Sequence, residues 1–126
     1  MFTQKKTNML KKQYRLKNRK AFDATYKNKV IISSPLLTLY LGKEKTDPNY
    51  PTKFGFVVSK KYHKRAVKRN RIKRLMREVC RLSIKEQSLL NLNKYMSCVI
   101  IPKNNTIGKN YKDIKDSFIN LVEKIR

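Results

Sequence analysis

Between residues 64 and 82 apolar side chains return every three or four positions: Ile72, Leu75, Met76 and Val79, with Ala66 and Leu82 near the ends. That spacing puts them on one stripe and predicts a helix packed against an apolar surface. A second stripe runs through Tyr111, Ile114, Phe118, Leu121, Val122 and Ile125, with Asn110 as N-cap and Asp113 in the first turn. A shorter helix is predicted over "RKAFDATYK", residues 19–27, capped by Asn18, with Phe22 and Tyr26 one turn apart on a shared face.

Elsewhere the period changes from helical to two. In "VIISSPLLTLYLG", residues 30–42, Leu37, Leu39 and Leu41 alternate with Leu36, Thr38 and Tyr40, so Thr38 and Tyr40 share a face. Pro35 breaks this run and leaves room for a further strand near residues 30–34. "KFGFVVS" and "MSCVIIP" are two more strands, and Pro102, lacking an N–H, is expected to stop pairing. "KEKTDPNYPT" and "KNNTIGK" carry turn residues, whereas "SIKEQSLLNLNKY" suits a continued helix or a loop. The expected fold is α+β: one domain over 18–126, a small, mostly antiparallel sheet packed with three helices, in the order α-β-β-β-α-β-α. Residues 1–17 form a separate basic segment, partly extended.

Charge changes the picture. The 126 residues include 32 Lys and Arg against 8 Asp and Glu, a net charge of +24, yet 40% are hydrophobic. The chain can build one core, and its charge calls for a polyanionic partner. Nucleic acid fits better than a membrane surface, because basic residues occur in every segment and not in one amphipathic helix. Residues 60–82 alone hold eleven Lys and Arg and one Glu. Arg65, Arg69, Lys73, Arg77 and Arg81, four apart, form a ridge that drifts around the helix, widened by Lys68 and Arg71. Like charges four apart cost a few tenths of a kcal/mol per pair, whereas burying four apolar side chains contributes on the order of 6 kcal/mol or more. A solvated face is the bland alternative for such a ridge, but solvated faces normally mix signs. Phe22, Tyr26 and Tyr40 suit either stacking on unpaired bases or the core, and spacing does not choose.

Other chemistries find little support. Cys80 and Cys98 sit among apolar residues without a CxxC, and His63 is the single histidine, so two reduced buried thiols are expected and no metal site. The acidic residues Asp23, Glu44, Asp47, Glu78, Glu86, Asp113, Asp116 and Glu123 are scattered, whereas a two-metal nuclease needs them clustered. His63 lies amid basic residues with no obvious partner as a general base. No catalytic residue is therefore assigned. No stretch has membrane-spanning length and the first residues lack a signal-peptide core, so a cytoplasmic protein is expected.

The run "GFVVSKKYHKRAVKRNRIKRLMRE", residues 55–78, resembles the protein subunit of bacterial ribonuclease P. "RNRIKRLMRE" resembles that family's RNR motif, "SKK" and "RAV" fall where the family has them, and "YRLKNRKAFDATYK" and "YMSCVIIPK" are similar to its first helix and last strand. The resemblance implies an RNA-binding subunit of a ribonucleoprotein endonuclease that removes the 5′ leader from precursor tRNA. It implies that the partner catalytic RNA, and no protein side chain, holds the catalytic Mg2+ and performs the hydrolysis. Carried over, Lys60, Lys61, Arg65, Arg69, Asn70, Arg71, Lys73, Arg74 and Arg77 match the RNA-contacting segment. Phe22, Tyr26, Thr38 and Tyr40 match positions lining the leader cleft, although Thr38 stands where an apolar residue is common. A left-handed β-α-β crossover is implied as well, against the usual right-handed rule. The alternatives are a basic ribosomal, DNA-compacting or other structural nucleic-acid-binding protein without a processing role, and a self-sufficient ribonuclease. Composition does not separate the first of these from the ribozyme subunit, but the RNR block with its "SKK" prelude does; the missing carboxylate cluster disfavours the second.

Overall fold

The computed structural model describes residues 10–126. Helix α1, Arg19–Lys27, starts where Asn18 accepts the Ala21 N–H at 2.8 Å. Helix α3, Tyr111–Lys124, starts in a reciprocal capping box of Asn110 and Asp113. Between them come β1, Val30–Ser33, β2, Leu37–Leu41, and β3, Lys53–Phe56. The basic helix α2, Ala66–Lys85, and strand β4, Ser97–Pro102, follow. The order is the α-β-β-β-α-β-α read from periodicity.

Helix α2 begins two residues later than expected and runs three further. Ahead of its start the Arg65 N–H donates to His63 Nδ1 at 3.1 Å, a local turn that periodicity does not reveal. At its end Ser83 is still buried, so the helix keeps one more turn on the core. The chain then turns through Gln87 and Leu90, both in the left-handed region at φ 55 and 53. A 3-10 helix, Leu90–Lys94, drops Leu92 into the core. The ambiguous stretch 83–95 is thus part helix and part turn.

The sheet order is β1-β2-β4-β3, with β1/β2 and β2/β4 antiparallel and β4/β3 parallel. Parallel neighbours need a crossover, and α2 is that crossover. Leu37, Leu39 and Leu41 lie opposite Pro102, Ile100 and Cys98. Together with Phe54 they face Ile72, Met76 and Val79 of α2 and Ile114, Phe118 and Leu121 of α3 in one cluster. Thr38 and Tyr40, opposite Ile101 and Val99, face the other way, toward α1.

Pro102 does not stop pairing with β2, contrary to expectation. It stands opposite Leu37 at a position whose N–H points away from β2, and the next residue, Lys103, donates to the Leu36 carbonyl at 2.8 Å. Toward β3 the ladder does end: the Val57 N–H donates to Ile100 O at 3.1 Å, and proline has no N–H to continue it.

Residues 10–16 cover the outer edge of β3. Leu10 is buried in the core, Arg15 bridges Phe54, and the Leu16 N–H donates to the Phe54 carbonyl at 2.8 Å. This edge would otherwise offer unpaired backbone groups to other chains. The basic residues before position 10 lie outside the described residues. Cys80 and Cys98 are free and buried, and burial pushes both thiols up, which leaves them inert.

Candidate nucleic-acid interface

The charge of α2 is not distributed as one ridge. Asn70, Arg74 and Arg77 are exposed, and Lys73 flanks them half-buried. Arg77 sets its guanidinium 6.0 Å from the Phe56 ring centroid, which fixes its stem against the sheet. Lys60, Lys61 and Arg65 stand exposed in and after the turn that precedes the helix. That turn is anchored by the buried Tyr62, whose hydroxyl lies 2.7 Å from Thr106 Oγ1 beyond β4.

Three arginines of the expected ridge have partners within the fold. Arg69 Nη1 donates to the carbonyls of His63 at 2.7 Å and Lys64 at 2.9 Å, closing the turn beneath Lys60 and Lys61. Arg71 Nη2 donates to the Lys109 carbonyl at 3.0 Å and ties α2 to the start of α3. Arg81 pairs with Glu78 through two bonds of 2.7 and 3.0 Å, so the ridge stops at Arg77. For Arg81 the cause is the drift of four-residue steps around a 3.6-residue helix, which carries the far end of the ridge off the free face. Arg69→Ala should accordingly lower stability by about 1–3 kcal/mol, the worth of charge-assisted bonds to two carbonyls. Chemical denaturation of the free protein checks this; Arg74→Ala, on the free face, should leave the midpoint in place.

On the far side of the sheet, α1 lies across β2 and β4. Thr25 Oγ1 meets Ser97 Oγ at 2.6 Å, and Asn28 Nδ2 donates to the carbonyls of Leu41 and Gly42 at 3.1 and 2.7 Å. The Phe22 ring lies over Gly55, where any Cβ would stand 2.5 Å from it; glycine is required for this close approach. The Tyr26 and Tyr40 rings meet edge to face, 5.0 Å apart at 89°. Burial, then Tyr40 and Asp23, push the Tyr26 phenol up, so it stays neutral and adds no charge against a phosphate. Phe22, Tyr26, Thr38 and Tyr40 are all half-buried and lie on one side of the sheet, with the aromatics grouped about α1. Thr38 is turned partly to its neighbour Ser33, Oγ to Oγ1 3.4 Å.

The same face carries residues that periodicity does not single out. Ile101 lies opposite Thr38, and Ile31, 53% exposed, lies opposite Tyr40. Only the strand register, which pairs them with Thr38 and Tyr40, places them on this face.

Carboxylates are placed for structure. Asp113 closes the α3 capping box, Asp116 pairs with Lys112 at 2.8 Å, and Glu78 holds Arg81. Among the described residues no group of three His, Cys, Asp or Glu could hold a metal ion, and no helix is long and apolar enough to cross a membrane.

The chain is a small α+β sandwich with a strongly basic helix on one side of the sheet and half-buried aromatic side chains beside α1 on the other. The family model for ribonuclease P matches residues 10–126. The chain is 35% identical over 113 residues to the ribonuclease P protein component of Clostridium botulinum strain Langeland, covering 90% of this chain and 95% of that one. It is 38% identical over 117 residues to that of Clostridium acetobutylicum, covering 90% and 89%. Its fold superimposes on the ribonuclease P protein of Thermotoga maritima with a TM-score of 0.70 at 22% identity, over 89% of this chain and 97% of that one. The Staphylococcus aureus protein gives 0.70 at 24% identity, over 89% and 94%. The chain belongs to the ribonuclease P protein family.

Proposed function

We propose that this chain is the RNA-binding protein subunit of a cytoplasmic ribonuclease P ribonucleoprotein, an endoribonuclease that removes the 5′ leader of precursor tRNA. The observation that carries this is the free face of α2: Asn70, Arg74 and Arg77, continued by Lys60, Lys61, Arg65 and Lys73, has no carboxylate partner among the described residues. Such a face needs an external anion, and the phosphates of a folded catalytic RNA supply it. Arg69 and Arg71, held by backbone carbonyls, position this surface and keep donors to spare for phosphate. The cleft of Phe22, Tyr26, Thr38 and Tyr40 receives the single-stranded leader, whose bases stack whatever their sequence.

Hydrolysis belongs to the RNA in this proposal. The scattered carboxylates support it, since each of Glu78, Asp113 and Asp116 already has a structural partner. Mg2+ ions supply the activated nucleophile and are held by RNA and substrate. The protein contributes positive charge that offsets repulsion between two RNAs, which lowers the Mg2+ or salt requirement. The test is cleavage of precursor tRNA with and without the cognate catalytic RNA. Protein alone should give no cut at the leader junction at any Mg2+ concentration, and protein added to the RNA should lower the Mg2+ needed. Site-specific cleavage by RNA-free protein, lost on mutating Asp113 or Asp116, would overturn the assignment.

A further inference from the structure

On the other flank of α1 from Tyr40 lies a second cleft of about 620 Å³. It is bounded by residues 12–18, the ends of β2 and the beginnings of β3 and β4. Its lining includes Lys12, Arg15, Lys17, Lys43 and Lys53 and not one acidic residue. None of these five cations forms an ion pair among the described residues. Ala21 and Ala24 of α1 line it too, and their short side chains leave the space open. Tyr50 stands at the cleft with 40% of its surface exposed, and Lys53 Nζ lies 5.8 Å from its ring centroid. An aromatic face beside a row of cations is the combination that single-stranded nucleic acid takes: the ring stacks on a base while the cations follow the phosphates.

We infer that this cleft binds a second stretch of single-stranded RNA, the part of the 5′ leader that lies beyond the nucleotides held at Tyr26 and Tyr40. The inference rests on the proposed function above. Helix α1 forms the common wall: Phe22 and Tyr26 serve one flank, Ala21 and Ala24 the other. A strand leaving the aromatic flank meets the basic cleft by crossing one helix. The free face of α2, by contrast, lies across the sheet, which separates this cleft from the surface proposed for the catalytic RNA.

The experiment uses the reconstituted holoenzyme and two precursor tRNAs, one with a short leader that ends near Tyr40 and one with a leader about twice as long. Lys12, Lys17 and Lys43 are exposed, so their joint replacement by alanine leaves the packing intact. The triple variant should bind the long-leader precursor more weakly, with a log–log salt slope flatter by about 2, at roughly 0.7 per phosphate of single strand. Affinity for the short-leader precursor and for catalytic RNA should not change. Tyr50→Ala should weaken the long-leader precursor alone. Equal long-leader binding by variant and wild type overturns the inference. So does a loss that is the same for both leaders or that falls on catalytic RNA, because the cleft then serves a different strand. Tyr40→Ala separates the two levels. If it removes the preference for precursor over mature tRNA while the triple variant changes nothing, only this inference fails. If neither variant affects leader binding, the leader assignment itself fails.

Discussion

Replacing Lys73, Arg74 and Arg77 together by alanine should weaken catalytic-RNA binding on the order of 100-fold at about 0.1 M salt, while the protein melts no lower than before. If about 6 phosphates are neutralised by the wild type, log affinity falls against log salt with a slope of about −4 to −5, at roughly 0.7–0.9 per phosphate. Removing three cations should bring the slope to about −2. At about 0.1 M salt each released counterion favours binding by somewhat under a decade, which gives the expected loss. Stability should move the other way. Arg74 and Arg77 are exposed, alanine is the best helix former, and the like-charge neighbours Arg69–Lys73 and Lys73–Arg77 disappear, which together offset the lost contact of Arg77 with Phe56. Salt titration of binding and a thermal melt check both halves. A variant that keeps the wild-type slope would remove α2 from the RNA interface. A variant that loses its helical circular dichroism would put these residues in the packing.

Tyr40→Ala should lower the affinity of the holoenzyme for precursor tRNA roughly 5- to 150-fold, the equivalent of about 1–3 kcal/mol of lost stacking on one base. Mature tRNA has no leader, and its affinity should barely change. The ratio of the two affinities is therefore the measurement. The structure adds a control, because Tyr40 also holds the edge-to-face contact with Tyr26. Truncation removes that contact too, worth about 0.5–1.5 kcal/mol, and loosens the wall formed by α1. Tyr40→Phe keeps the ring in both roles and should keep the ratio near wild type. If Tyr40→Ala lowers precursor and mature affinities alike, Tyr40 is a core residue and the leader lies elsewhere.

Legibility followed the range of the interaction. The stripe of Ile72, Met76 and Val79 and the caps Asn18 and Asn110 were readable because a helix repeats every 3.6 residues and a cap acts within three. The alternation of Leu37, Leu39 and Leu41 with Thr38 and Tyr40 was readable because a strand repeats every two. The RNR block, read as a resemblance, led to the family in which the chain stands. That Arg69, Arg71 and Arg81 have partners within the fold was not readable, since a formal charge does not reveal whether a carbonyl or a carboxylate already meets it. Ile31 and Ile101 were passed over because their place depends on register with strands far away in the chain.

From its sequence alone this protein is determined as a basic α+β domain with one core, a cationic helix and an aromatic pair one turn apart. Those properties come from side-chain chemistry and local periodicity, which every segment carries with it. Which cations remain free, and that α1 has an aromatic flank and a basic flank, was decided by the tertiary structure. Such properties arise between segments: the Arg69 and Arg71 bonds to His63, Lys64 and Lys109, the seating of Phe22 on Gly55, and the gathering of Lys12, Lys43 and Lys53 around one cleft exist only after the sheet has closed.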